Sequence, residues 1–250
     1  MAYEATQKGN PNRITVDQHV FPRRSVERFY GTRGGVDLYL SKQQKCIRAL
    51  AKHDVFCAKR AWIHRVESGF MADIERRYQE VAESIAQGHK TTIPASDYQA
   101  ITDMFALWRV RWYWQDRDRP DQTLKMHKPE RSLSRDMQEK MEKAGVLFTR
   151  PDGAFPVRQV VGVRIHLDQE ELAHQMAGRA WGVVRAEQGQ FVVPDTYGID
   201  AILPLSPTVV LAWDCPDKTI SREAVAAINQ VAFVRHRRYL FAECFEAAPL

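Results

Sequence analysis

The stretch WGVVRAEQGQFVVPDTYGIDAILPLSPTVVLAW, residues 181–213, decides the fold class. Trp181-Gly182-Val183-Val184, Phe191-Val192-Val193 and Thr208 to Trp213 are short runs rich in β-branched and aromatic residues. Such runs, broken by Gly and Pro, read as strands. Gly189 marks a turn between the first two. Downstream, Ser221 caps a helix with Glu223 in its first turn and Arg235-His236-Arg237-Arg238 at its end, where the helix dipole favours each charge. Upstream, Asp168 is expected to cap a helix running toward Arg179, with Leu172, Met176 and Ala180 on one side. Further back, Val66, Phe70, Ile74, Tyr78, Val81 and Ile85 recur at helical spacing, and Gly88 follows as a stop. A second helix starts at Pro94 or Ser96, with Ile101, Met104, Phe105, Trp108 and Trp112 on one face. Ser134 caps another through about Ala144, ended by Gly145. Near the start, Val36 to Leu40 alternates as a strand does, and Gly34-Gly35 before it suits a hairpin.

Strand, several helices, strands and a final helix describe an α+β chain rather than an alternating β/α one. The expected architecture is a single domain, with a helix-rich middle packed on a mixed or antiparallel sheet. That sheet comes mainly from the C-terminal half, with one N-terminal strand. Residues 1–16 read as a flexible arm, 17–243 as the domain, about 117–133 as a mobile basic connection and 244–250 as a tail.

The chain has 250 residues, 44% hydrophobic and 27% charged, which excludes wholesale disorder and leaves enough length for a real core. Lys and Arg number 36 against 31 acids, for a net charge of +5. That charge is uneven: residues 1–33 carry +3, residues 105–135 carry +4, and the remainder is slightly acidic. The two basic stretches are candidate contacts for RNA or single-stranded DNA. A protein partner is the alternative. The first twenty residues lack an apolar signal segment, and the longest apolar run, Val209 to Trp213, is too short for a membrane span. Cys46, Cys57, Cys215 and Cys244 form no zinc spacing. A cytoplasmic protein with free thiols, no membrane partner and no cysteine-based zinc site is expected. The cofactor stays open, a divalent metal included.

Several local patterns occur together in order. Gln18-His19-Val20-Phe21-Pro22 leads into Arg23 to Phe29, then Gly35 to Tyr39. Ile74-Glu75 lies on the first long helix, and Ala95-Ser96-Asp97 runs on to Phe105 and Arg109. Arg179-Ala180-Trp181, then Phe191 to Tyr197, then Pro204-Leu205-Ser206-Pro207 follow, and the last helix carries Asn229 and ends near Arg238-Tyr239. In this the chain resembles the bacterial domain-of-unknown-function 4238 family over about residues 17–243. It departs from that family's pattern at Gln18, where the family has His. It departs again at Pro194 and Tyr197, in the family's Ser-Asp-x-Pro strand end. The resemblance implies no particular reaction.

Three residues are candidate catalytic groups. His19 has Asp17 beside it to orient an imidazole base, and Arg23 and Arg24 follow as a phosphate clamp. Asp195 follows a strand, where a catalytic acid or metal ligand often sits. Glu75 lies among Asp73, Arg76 and Arg77 on a helix, where surface ion pairing is the plainer account. Candidate substrate-binding residues are Arg23, Arg24, Asn229, Arg179, Trp114 and Arg111. Of these, Arg111 and Trp114 belong to a segment that interleaves aromatics with guanidiniums, as single-strand binders do. No phosphate loop, His-Glu-x-x-His or Gly-x-Ser-x-Gly motif is present. The leading expectation is a cytosolic bacterial protein acting on nucleic acid, as a nuclease-like effector of a conflict or defence system. The alternative is a non-catalytic binding module or adaptor. The third class is an ADP-ribosyltransferase-like enzyme, for which the required residues have no clear placement.

Overall fold

Residues 98–114 carry apolar side chains on nearly every side, and a helix of that kind belongs in the middle of a protein. A computed structural model describes residues 3–116, 121–123, 133–150 and 152–250. The first half holds β1 (Asp17–His19), α1 (Arg23–Glu27), the hairpin of β2 (Val36–Leu40) and β3 (Lys45–Ala49), and β4 (Cys57–Lys59). It continues with α2 (His64–Val66), α3 (Ala72–Ala86) and α4 (Tyr98–Trp114). Next come β5 (Gln122–Thr123), α5 (Arg135–Ala144), β6 (Ala154–Phe155) and α6 (Val157–Gln175). The last part holds β7 (Trp181–Ala186), β8 (Val193–Pro194), β9 (Ile202–Ser206), β10 (Val209–Trp213), β11 (Lys218–Ile220), α7 (Arg222–Arg235) and β12 (Tyr239–Ala242). The chain is α+β, as the element order implies.

Helix α4 is the spine. It packs between α3 and α6 and reaches both main sheets. Phe105 meets Trp181 of β7 at 5.8 Å between ring centres, and Trp181 Nε1 donates to Thr102 Oγ1 at 2.8 Å. Trp108 meets Phe21 at 4.7 Å, which leads into an aromatic cluster of Phe29, Phe56, Tyr239 and Phe241. Aromatic edges and faces contribute roughly 0.5–1.5 kcal/mol per pair beyond the area they bury.

Two four-stranded sheets replace the single expected one. One has the order β11-β7-β10-β9 and is mixed, because β11 runs parallel to β7. The other has the order β3-β2-β12-β8 and is antiparallel. The N-terminal half thus supplies a hairpin, and β12, nearly two hundred residues away, completes it. Periodicity cannot show such pairing, since it is set by long-range packing. Of the run Phe191-Val192-Val193, only Val193 joins a strand, and it pairs with β12 rather than with the run before Gly189. Gly35 enters β2 with φ +73, and a Cβ there would strike the Ala49 carbonyl. Only glycine fits that position.

Helix boundaries follow their caps. Ser134 and Ser221 accept from Met137 N and Ala224 N, and Gly145 closes α5 at φ +78. Asp168 does not begin a helix. It lies inside α6, which starts after Pro156, because Val161 and Ile165 extend the apolar side further upstream than Leu172 suggests. The helix expected from Val66 is interrupted by a π turn over Glu67–Met71 before α3 proper. The arm 3–16 has no helix or strand. Most of the basic connection, at 117–120 and 124–132, lies outside the described residues. The C-terminal segment is held rather than loose: Asn229 Nδ2 donates to the Pro249 carbonyl at 2.8 Å. No helix among the described residues is long and apolar enough to cross a membrane.

Candidate functional site

Two clusters of buried charge stand out. The first is built around Arg111, whose side chain is 0% exposed. Its guanidinium donates to Glu75 Oε1 at 2.5 Å and to Glu67 Oε2 at 3.2 Å, and lies over the Trp62 ring at 5.8 Å. Trp62 Nε1 donates to the same Glu67 oxygen at 2.7 Å. The π turn swings Glu67 to this position, and such turns recur at functional sites. Burial raises the Glu67 carboxyl above its ordinary value, against the pull of Arg111 and the Trp62 bond. His19 lies near enough to favour the charged form of Glu67, while its own Nε2 faces the Ala51 carbonyl at 3.0 Å. Burial alone would weaken the Arg111 charge, but the two glutamates more than offset that.

The structure therefore brings His19, Glu75 and Arg111 into one neighbourhood and adds Glu67, which no sequence pattern singled out. Arg111 is not a surface contact for a ligand, because its guanidinium is sealed against its two glutamates. Its helix lies in the core, with Tyr113 as its exposed aromatic near the C-terminal end.

Asp195 is placed elsewhere and is 1% exposed. It accepts from Trp112 Nε1 at 2.9 Å, Arg237 N at 2.8 Å and Arg238 N at 3.3 Å. Burial raises its carboxyl, and the two backbone donors and Trp112 oppose the rise. These bonds pin the turn between α7 and β12, so Asp195 has no free face for a substrate. Asn229 bridges Val192 N, the Gln190 carbonyl and the Pro249 carbonyl, which uses its amide for scaffold. Arg179 pairs with Asp214 on the surface and lies over Trp213. Arg23 pairs with Glu27 within α1 at 2.7 Å, and Arg24 is exposed on that same short helix. Trp114 Nε1 donates to Asp168 Oδ2 at 2.9 Å.

The second cluster lies in a cleft of about 550 Å³ between β4, the end of α4 and the start of α6. Lys59, Arg60, Arg150, Arg158, Arg238 and Trp114 face it. At its centre, Glu142 of α5 has a 0% exposed side chain and accepts from Arg60 at 2.6 Å and Arg158 at 2.9 Å. Arg60 has φ +48, a left-handed value uncommon outside glycine, and its buried bonds hold it there. Arg150 pairs with Asp121. Into this group the arm inserts Glu4, whose Oε2 meets Arg158 and, at 2.7 Å, Arg150. Burial by itself would raise the Glu4 carboxyl, but Arg158 and Arg150 outweigh it and hold it below its ordinary value. Arg60 also donates to the Glu4 and Ala5 carbonyls at 2.9 and 3.2 Å.

At the other end of the cleft, Lys59 bonds Asp17 and Asp54, and Arg238 reaches Gln115 and Asp116. The Asp195 turn carries Arg238, so the residue expected to be catalytic instead positions a cation in the cleft. Sequence reading missed Glu4, Glu142, Arg150 and Arg158. Only the fold brings them together, and no local pattern marks them.

A separate cleft of about 520 Å³ is lined by Asp73, Arg77, Asp103 and His166. Its most buried acid, Asp103, is satisfied by Arg77, Gln99 and Gln169. Among the described residues, no three His, Cys, Asp or Glu side chains gather as a metal site would require. No family model, curated protein or solved structure matches the chain.

Proposed function

We propose that the protein is a binding module for a polyanion, of which single-stranded nucleic acid is the favoured class, and that the arginine-lined cleft takes the ligand. The observation that carries this is the gathering of Lys59, Arg60, Arg150, Arg158 and Arg238 around one open cleft, where they alternate with Glu4, Asp54, Asp116 and Asp121 as the partners a polyanion would replace. Guanidiniums grip phosphate oxygens in pairs, and a row of them suits a polynucleotide backbone. Arg135 adds a further cation beside the arm, where it reaches Glu4 and the Ala5 carbonyl. Binding without turnover is favoured because Asp195 and Asn229 are spent on scaffold.

Fluorescence anisotropy of a labelled single-stranded RNA and its DNA counterpart tests the reading. Affinity falls steeply between 50 and 200 mM salt, by roughly tenfold or more for a ligand that touches several phosphates. Lys59→Glu with Arg238→Glu weakens it further. Flat salt dependence, or no binding at low salt, overturns the proposal.

The Glu67 cluster favours a second reading, a nuclease-like enzyme. Glu67 holds its proton above the ordinary glutamate range, and Glu75 and His19 are its neighbours. A carboxyl of that kind suits general acid work. Cleavage of either oligonucleotide that disappears in Glu67→Gln supports it, and intact substrate with the wild type across added divalent metals removes it.

A further inference from the structure

The arginine group at the deep end of the cleft has a charge imbalance that only the arm corrects. Arg60, Arg150 and Arg158 are three cations, and their partners from the folded domain are two carboxylates, Glu142 and Asp121. Among these ion-paired groups one positive charge is left over, and Glu139 of α5 adds a more distant negative charge near Arg60. Arg60 and Arg158 have side chains only 1% and 8% exposed, so that excess is poorly screened by solvent. The Glu4 carboxylate fills the gap with charge-assisted bonds from Arg150 and Arg158.

The arm is poorly anchored for so central a role. Residues 3–8 form no helix or strand, and none of them is buried. Polar contacts hold the segment: Gln7 N to Glu139 at 2.7 Å, the Gln7 side chain to Glu139 at 3.1 Å, and Arg60 to two backbone carbonyls. Water or a competing anion can replace each of these polar contacts, and no residue of the segment is buried to hold it in place. Among the described residues of the arm, the first buried apolar side chain is Ile14. A carboxylate offers two oxygens to these three guanidinium forks, whereas a phosphate offers three or four and up to twice the charge.

From this geometry we infer that Arg60, Arg150 and Arg158 form a phosphate subsite, and that Glu4 is its built-in competitor, a carboxylate that a phosphate group of the ligand displaces. The inference deepens the proposed function, because it assigns which part of the cleft takes a phosphate and why the free protein keeps that part covered. The Arg60 backbone, held in the left-handed region, points its guanidinium at the same spot. Arg158 and Arg60 are fixed by Glu142, so the subsite is shaped before the ligand arrives.

The test uses the full chain and two probes, pyrophosphate alone and a twelve-nucleotide single-stranded RNA. In titration calorimetry, Glu4→Gln binds pyrophosphate about tenfold more tightly than the wild type, and Arg150→Gln binds it at least tenfold more weakly than the wild type. A gain of the same direction for RNA identifies the phosphate as that of a polynucleotide. A gain for pyrophosphate without one for RNA identifies a free phosphate ligand and leaves the subsite standing. Hydrogen exchange supplies an independent readout: the Gln7 amide, protected by Glu139 in the free protein, exchanges faster once either ligand is bound. Equal pyrophosphate affinity in wild type and Glu4→Gln, or no measurable binding in both, overturns the inference. Salt-dependent RNA binding that ignores Glu4→Gln overturns it too, while the wider polyanion reading survives. Thermal melts of both variants confirm that each is folded, and the partial exposure of Glu4 and Arg150 makes both tolerable.

Discussion

The two buried charge clusters are mirror images. Around Arg111, one guanidinium serves two carboxylates, Glu67 and Glu75. Around Glu142, one carboxylate serves two guanidiniums, Arg60 and Arg158. The sign of the surplus decides what each place can take. A surplus carboxylate is neutralised most easily by a proton, and Glu67, raised chiefly by burial and further by Glu75, holds its proton more tightly than an ordinary glutamate. A surplus guanidinium cannot give up its proton near neutral pH and must find an anion, which here is Glu4. The first cluster can settle its surplus with a proton, and the second only with an anion.

The largest test of this contrast removes the single central charge from each cluster. Glu142→Gln leaves two buried guanidiniums without their carboxylate and is expected to cost about 3–5 kcal/mol in urea unfolding. Arg111→Met leaves two carboxylates that keep some solvent, at 17% and 27% exposure, so the loss is smaller, about 2–3 kcal/mol. The loss in Arg111→Met shrinks as pH falls from 7 to 5, because protons replace the missing cation. Glu142→Gln shows no such recovery. If both variants recovered alike in acid, the contrast would fail.

Asn229→Ala separates charge from scaffold. It strands Val192 N and frees the C-terminal segment, at about 2 kcal/mol, with no pH dependence between 5 and 7.

The wild-type pH profile sharpens the contrast without a large stability change. Glu67 is raised in the folded state, so the folded protein binds that proton more tightly than the unfolded chain. Its contribution to stability is greatest in acid and is lost as pH climbs from near 4.5 through the raised folded value. Glu4 is lowered, so its contribution is present above about 4.5 and is lost as pH falls through the folded value. Urea unfolding from pH 3 to 7 is therefore expected to separate the variants. Relative to wild type, Glu67→Gln loses the decline on the alkaline side, and Glu4→Gln loses the decline on the acid side. Variants that share one profile would remove the distinction.

The smallest effect belongs to the exposed pairs. Arg179→Ala breaks an ion pair with Asp214 in which both partners are more than half exposed, and unfolding shifts by about 0.5 kcal/mol or less.

Much of the fold was legible along the chain. Ser134, Ser221, Gly88 and Gly145 mark ends because caps are local chemistry, and α3 shows itself through Ile74, Tyr78, Val81 and Ile85 because burial on one face imposes a period. The site was legible only in pieces. His19, Glu75 and Arg111 drew notice as residue types, and the fold joined them. Asp195 drew notice as a strand-end acid, yet three donors from Trp112, Arg237 and Arg238 make it a turn lock. Nothing local distinguishes a strand-end carboxylate that faces solvent from one that is capped from below.

By itself the sequence determined the α+β class, most helix ends, the free thiols and the uneven basic charge, since each follows from neighbours within a few turns of chain. Only the tertiary structure decided which charges are surplus. Arg60, Glu142, Arg150 and Arg158 come from separate segments, and Glu4 from the arm. The value of a buried charge depends on the full set of partners around it, and that set exists only once distant segments have packed.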